Sequence, residues 1–237
     1  MKDKALEYLN ENPYFHVGMI NPIIRGTVKL LYGEEDGVFL KETVSNVYML
    51  STTNQELGER LLNEVGEQEL YCIYQEALAD YLVNKHGYEK EMTCFQAVYN
   101  KKEPLPRKMM DLEMRVLDSS YTDKIYQQYN SHVSLDYVKR RLEAGAIYGG
   151  FVEGEFCGFV GTHEEGGIGL LEVFEKYRKR GYGAELESYF VNLLLERGEI
   201  PYAQITEGNE ASYRLHEKLG FDITNEKLYW LSKSLQI

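Results

Sequence analysis

The chain is short of cysteine, histidine, positive charge and long apolar runs, and each shortage removes a class of function. Its 237 residues hold three cysteines, Cys72, Cys94 and Cys157, with no CxxC pair and no spacing of a disulfide framework. The five histidines are dispersed, so no metal site is expected. No apolar run approaches the roughly 18–20 residues that span a bilayer. Met1–Glu7 lacks the apolar core of a signal peptide. Together these features predict a protein of a reducing cytoplasm. The formal net charge of −12 argues against nucleic-acid partners and against docking on anionic membranes. The same field favours cationic substrates such as amines.

Against that acidic background one basic cluster stands out. Lys176, Arg178, Lys179 and Arg180 fall within five positions, directly after the apolar run Leu171-Glu172-Val173-Phe174 and directly before Gly181-Tyr182-Gly183. A long amphipathic segment follows, with Leu186, Phe190, Leu193 and Leu194 at the spacing of one buried helix face. A strand, a glycine-punctuated turn and a helix expose backbone N–H groups at the positive end of the helix dipole. That arrangement suits a phosphate or pyrophosphate.

About thirty residues further on comes Gly208-Asn209-Glu210-Ala211-Ser212-Tyr213-Arg214-Leu215-His216-Glu217-Lys218-Leu219-Gly220-Phe221. Asn209 reads as an N-cap, Glu210 sits well at the positive end, and Gly220 suits the left-handed position after the last turn. The Arg-x-x-Gly-x-Gly turn and this second segment, in this order and spacing, resemble the GNAT superfamily of acyl-CoA-dependent N-acyltransferases. The resemblance covers roughly Met110 to Lys233, and that half looks most like the glycine N-acyltransferase-like branch.

The coarse reading places strands at Asp111–Leu117, Ala146–Val152, Glu155–Thr162, Ile168–Val173, Tyr202–Ile205 and Asp222–Ser232. Helices are expected at Thr122–Tyr129, Leu135–Ala144, after Gly181 and at Glu210–Leu219. Pro104 and Pro106, flanked by charge, read as an extended linker. Upstream, strands at Thr27–Tyr32, Gly37–Glu42, Asn46–Leu50 and Leu70–Tyr74, with a helix at Gln55–Val65, follow the same succession. Leu82–Tyr88 aligns with Leu215–Phe221 at a fixed offset of about 133 residues, the pattern of a tandem duplication. The expected fold is therefore α/β (α+β): a mixed, splayed GNAT-type sheet flanked by helices, in two tandem halves. Residues 1–103 would form a degenerate N-terminal domain and 104–237 the catalytic one. The degeneracy is read from Ser51-Thr52-Thr53-Asn54-Gln55-Glu56-Leu57, which has neither arginine nor glycine where the phosphate turn should fall, and from Val83 where the other half has His216.

The resemblance implies acetyl-CoA as co-substrate and direct acyl transfer to a primary amine of a small molecule or amino acid. It places the pyrophosphate on the backbone of Arg178, Lys179, Arg180, Gly181, Tyr182, Gly183 and Ala184. Pantetheine would pair with the strand edge at Leu171 and Val173, and Asn209 and Ser212 would flank it. Such transfer needs a held thioester, a neutral amine, a polarised carbonyl and a proton for the departing thiolate. The Val173 N–H would polarise the carbonyl. Where relatives often place a tyrosine acid this chain has His216, whose ordinary pKa near 6.5 suits the task; Tyr213 is the second candidate. Glu172 alternates with Leu171 and Val173 and is the candidate base, with Glu207 and His163 behind it. Two other readings compete: a coenzyme-binding module with little catalysis, and a protein-modifying acetyltransferase. The sequence gives no signal for oligomeric state or acyl length.

Overall fold

A computed structural model describes residues 1–108, 111–129 and 133–233. In chain order the first half holds α1 (Lys2–Leu9), α2 (Val17–Arg25), β1 (Val28–Glu34), β2 (Gly37–Glu42), β3 (Tyr48–Thr52), α3 (Gln55–Val65), β4 (Leu70–Ile73), α4 (Glu76–His86) and β5 (Glu89–Val98). The second opens with β6 (Leu112–Val116) and continues with α5 (Thr122–Gln128), α6 (Leu135–Glu143), β7 (Ile147–Val152), β8 (Glu155–Thr162), β9 (Ile168–Val173), α7 (Tyr182–Glu196), β10 (Tyr202–Thr206), α8 (Glu210–Leu219) and β11 (Asp222–Ser232). From α1 to β5 and from α5 to β11 the order of helices and strands is the same. The sense of pairing repeats too: β1–β2–β3 and β7–β8–β9 are antiparallel, while β4 joins β3, and β10 joins β9, in parallel.

The chain divides into two compact units: Met1–Val98 with Gln204–His216 and Asp222–Ile237, and Tyr99–Ala203 with Glu217–Phe221. These units differ from a simple cut after residue 103, and the reason lies in β11. Within the first unit the strand order is β1-β2-β3-β4-β11-β5, with β11 antiparallel to both neighbours. Successive side chains of a strand point to opposite faces. Leu228 and Trp230 accordingly enter a core with Tyr8, Met19 and Ile23 of α1 and α2, while Tyr229 and Leu231 enter one with Leu57, Leu61 and Leu82 of α3 and α4. Strand β11 thus completes both cores of the first unit.

In the second unit, Ile125 of α5 and Val138 and Leu142 of α6 cover one sheet face, packing on Phe151, Phe156, Phe159 and Leu170. Helix α7 buries Leu186, Phe190 and Leu194, while Leu193 is only half-buried. It lies close because Gly150 has no side chain: a Cβ there would stand 2.7 Å from Leu186 Cδ2. The proline-containing segment expected as a linker is clamped along this helix. Leu105 N–H donates to Asn192 Oδ1 (2.7 Å), Asn192 Nδ2 donates to the Leu105 carbonyl (2.9 Å), and buried Glu185 pairs with Arg107.

Candidate active site

Strand β9 is irregular. Phe159 faces Glu172 and Gly161 faces Gly169, so two steps on β8 match three on β9, a β-bulge. Leu170 within it has φ +50°, a conformation that L residues rarely adopt. Its parallel register with β10 is the single pair Ile168–Ala203, against three pairs between β3 and β4. The sequence Ile168–Val173 reads as a plain strand, and nothing in it announces the bulge. Leu171, Glu172 and Val173 are half-buried.

After β9 a short 3₁₀ turn, Glu175–Tyr177, leads to Arg178. Two residues in quick succession take positive φ, Lys179 at +59° and Gly181 at +95°. Gly181 is the N-cap of α7 and offers no side-chain acceptor to the helix. The first intrahelical bond is Glu185 N–H to the Gly181 carbonyl, so the amides of Tyr182, Gly183 and Ala184 precede it. The two glycines differ in their reasons. Gly181 is required by backbone conformation. Gly183 has ordinary space beside it, the nearest neighbour of an added Cβ being Val173 Cγ2 at 3.6 Å.

The Arg178 amide is not among the donors exposed by this turn: it donates to the Glu175 carbonyl at 3.2 Å. Its guanidinium is engaged too, Nε with the Val173 carbonyl (2.9 Å) and Nη2 with Glu172 Oε1 (2.8 Å). Glu172, expected as a base, is therefore ion-paired. Lys176 pairs with Glu155 at 2.6 Å, leaving Lys179 and the exposed Arg180, whose guanidinium lies over the Tyr182 ring, nearest the helix start. Tyr182 is buried against Tyr177. A concavity of about 510 Å³ opens nearby, lined by Tyr121, Phe156, Phe174 and Lys176 among others, but neither Val173 nor the residues from Gly181 to Gly183 line it. The amides, not this hollow, are the feature suited to an anion.

Helix α8 is as the sequence predicts, Glu210–Leu219. Asn209 Oδ1 accepts from Ser212 N–H at 3.1 Å, and Gly220 has φ +80°. His216 is 4% exposed, and its Nδ1 lies 2.8 Å from the Ser212 carbonyl. That acceptor fixes the proton on Nδ1. Tyr213 on the same helix is exposed, and Ser212 is half-buried. Glu207 pairs with Lys227 at 2.6 Å. His163 Nδ1 lies 2.6 Å from the Tyr137 hydroxyl. Burial and then the nearby Glu165 carboxylate raise the phenol's pKa, so Tyr137 stays protonated and the two rings share this hydrogen bond. Tyr137 gave no sequence signal.

The corresponding turn of the first half is satisfied by its own side chains. Thr52 N–H donates to Gln75 Oε1 (3.0 Å), Asn54 N–H to Thr52 Oγ1 (3.1 Å), and Asn54 Oδ1 caps α3 through Leu57 N–H (3.1 Å). Gly58 of α3 sits tight against Leu78 of α4, where an added Cβ would lie 2.5 Å from Leu78 Cδ1. Where β9 opens into a glycine turn, β3 opens into a capped helix.

Among the described residues no group of three or more potential ligands stands ready for a metal ion, and no helix is long and apolar enough to cross a membrane. No curated protein matches the chain by sequence. Residues 146–231 match the family described as FR47-like protein. Among solved structures, a Drosophila protein superposes with a TM-score of 0.64 at 15% identity, over 83% of this chain and 74% of that one. A GCN5-related N-acetyltransferase from Kribbella flavida gives 0.60 at 12% identity, over 94% and 96%. A tandem GNAT protein from the clavulanic acid biosynthesis pathway gives 0.51 at 11% identity, over 92% and 87%. The chain therefore has the fold of the GNAT acetyltransferases, a mixed α+β sheet flanked by helices.

Proposed function

We propose that this protein is an acyl-CoA-dependent N-acyltransferase that moves the acetyl group of acetyl-CoA directly to a primary amine of a small molecule or amino acid. The observation that carries the reading is the start of α7. A glycine N-cap with no capping side chain follows directly on an interrupted strand, leaving the Tyr182, Gly183 and Ala184 amides ahead of the first helical bond. Such amides at the positive end of a helix hold a diphosphate. The chemistry of the donors fits coenzyme A, with exposed Lys179 and Arg180 beside them. The capped α3 of the other half supplies the contrast.

The remaining roles follow from the resemblance to the GNAT proteins. Leu171 and Val173 present the strand edge, and the Val173 N–H polarises the reacting carbonyl. Asn209 and Ser212 belong to the coenzyme site, and His216 gives the proton to the departing thiolate, with Tyr213 as the alternate donor. Direct transfer, with no acyl-enzyme, agrees with the cysteines. No disulfide joins the buried Cys72, Cys94 and Cys157, and burial pushes the thiols of Cys94 and Cys157 up to about 11. Unbridged cysteines also suit a cytoplasmic location. The acceptor class rests on likeness to the glycine N-acyltransferase-like branch and on the acidic charge.

One observation favours a second reading, a coenzyme-binding module with little turnover: His216 is buried, with Nδ1 committed to the Ser212 carbonyl. A panel of amines incubated with acetyl-CoA, following thiol release, separates the two. Turnover with a small amine supports the enzyme. Calorimetric binding of coenzyme A without turnover supports the module. Fast turnover on a polypeptide alone would move the acceptor to proteins, and absence of binding would overturn both readings.

A further inference from the structure

We infer that Glu172 and Arg178 form a positioning pair that shapes the turn into α7, and that neither acts as a general base or a phosphate-gripping side chain. The inference rests on the coenzyme reading above and gives Glu172 and Arg178 a task other than the one expected from the sequence.

Arg178 joins three points. Its Nε binds the Val173 carbonyl, its Nη2 binds Glu172 on the last turn of strand, and its own amide closes the 3₁₀ turn on Glu175. Residues 172 to 178 are thereby tied into one ring of contacts. Lys179 comes next at φ +59° and Gly181 at +95°, so the direction of the helix-start amides is set from a fixed origin. A planar guanidinium with donors in a fork can serve a carbonyl and a carboxylate together, which an ammonium cannot do with the same geometry. Glu172 is the more enclosed partner, 23% exposed against 56% for Arg178, so the carboxylate anchors and the guanidinium spans.

Charge makes the same point. A carboxylate 2.8 Å from the guanidinium cancels most of its attraction for an anion. If Arg178 gripped the diphosphate by charge, Glu172 would be its competitor. If Arg178 holds the turn, Glu172 is its support. The two roles therefore predict opposite signs for removal of the same carboxylate. A base at Glu172 would in addition have to surrender its ion pair to accept a proton from an amine.

The test is isothermal calorimetry of coenzyme A on the wild-type chain, Glu172→Gln, Arg178→Lys and the double variant, with thermal unfolding to confirm that each is folded. The pair predicts that Glu172→Gln weakens binding by about threefold to fivefold, as for a partly exposed ion pair. Arg178→Lys should weaken it similarly, and the double variant should be little worse than either single one. With an amine from the screen above, kcat of Glu172→Gln should stay within about threefold and its pH profile keep its shape. Tighter binding by Glu172→Gln, or effects that add in the double variant, would overturn the pair while leaving the coenzyme reading intact. So would a loss of kcat by about a hundredfold with an altered acid limb, which is the signature of a base. Failure of the wild-type chain to bind would overturn the coenzyme reading, and the pair with it.

Discussion

Lowering the pH should destabilise the first unit through one residue, His16. It is the N-cap of α2, 6% exposed, among the rings of Tyr8, Phe15 and Tyr74. Nδ1 lies 3.1 Å from the Leu9 carbonyl and Nε2 2.9 Å from Ser51 Oγ. A carbonyl only accepts, so the proton sits on Nδ1, and Nε2 accepts from the serine. Ser51 in turn receives the Gln75 amide (3.2 Å) and contacts the Tyr8 hydroxyl (3.3 Å). Protonating Nε2 would break this chain in a buried place, and burial lowers the imidazole from 6.5 to about 4. Because the folded value is depressed, the unfolded chain binds the extra proton first as pH falls. The stabilisation is present above about pH 6.5, declines through the window down to about pH 4, and is gone below it. At about 1.4 kcal/mol per pH unit the lowering from 6.5 to about 4 is worth about 3.5 kcal/mol in all, of which about 2 is lost by pH 5. Urea unfolding of the wild type and of His16→Gln, at steps from about pH 7.5 to about pH 4.5, measures it. Glutamine keeps the donor and acceptor but does not titrate, so surface carboxylates common to both chains cancel. The stability gap between the two should close by about 2 kcal/mol between neutrality and pH 5. A constant gap would show that the acid sensitivity comes from somewhere else.

Other outcomes follow from the same geometry. Gly181→Val should abolish coenzyme binding in calorimetry and lower stability by about 1–2 kcal/mol, the cost of a left-handed L residue. Gly183→Ala should leave stability within about 0.5 kcal/mol, since its methyl has room in the protein itself; a large loss of stability would contradict the packing described. His216→Phe should lower turnover at least about tenfold with little change in coenzyme affinity, and unchanged turnover would remove it from the mechanism. A chain ending at Phe221 should leave residues 1–98 without protection in hydrogen exchange, the first unit failing to fold. It forfeits four buried side chains of β11 at about 1.5–3 kcal/mol each, comparable to a whole domain's stability.

Elements with punctuation were legible in the sequence. Helix α8 could be bounded to the residue because Asn209 and Gly220 supply a cap and a stop, and the β7–β8 hairpin because Glu153 and Gly154 mark its turn, both at positive φ. The N-terminal helices were not: α2 carries Pro22 in its interior, which in a sequence argues against a helix. Strand β5 is equally hard to see in the sequence, since its exposed first four residues hide the alternation. The turn before α7 was legible where it depends on backbone freedom, at Gly181, whose φ is positive. Meetings across a turn, as between Glu172 and Arg178, or across elements, as between Tyr137 and His163, were not. Nor did the pattern of β11 say which strands would flank it, because apolar side chains on both faces specify burial but no neighbour.

The seating of β11 between β4 and β5 bears on how the protein is made. During synthesis the first ninety-eight residues emerge long before Asp222–Ser232 are available. Until those residues leave the ribosome, β4 and β5 have raw edges and two cores lack their closing aromatic and leucine side chains. Residues 1–98 must therefore wait, unfinished and open to wrong pairings, until residues 222–232 have followed them.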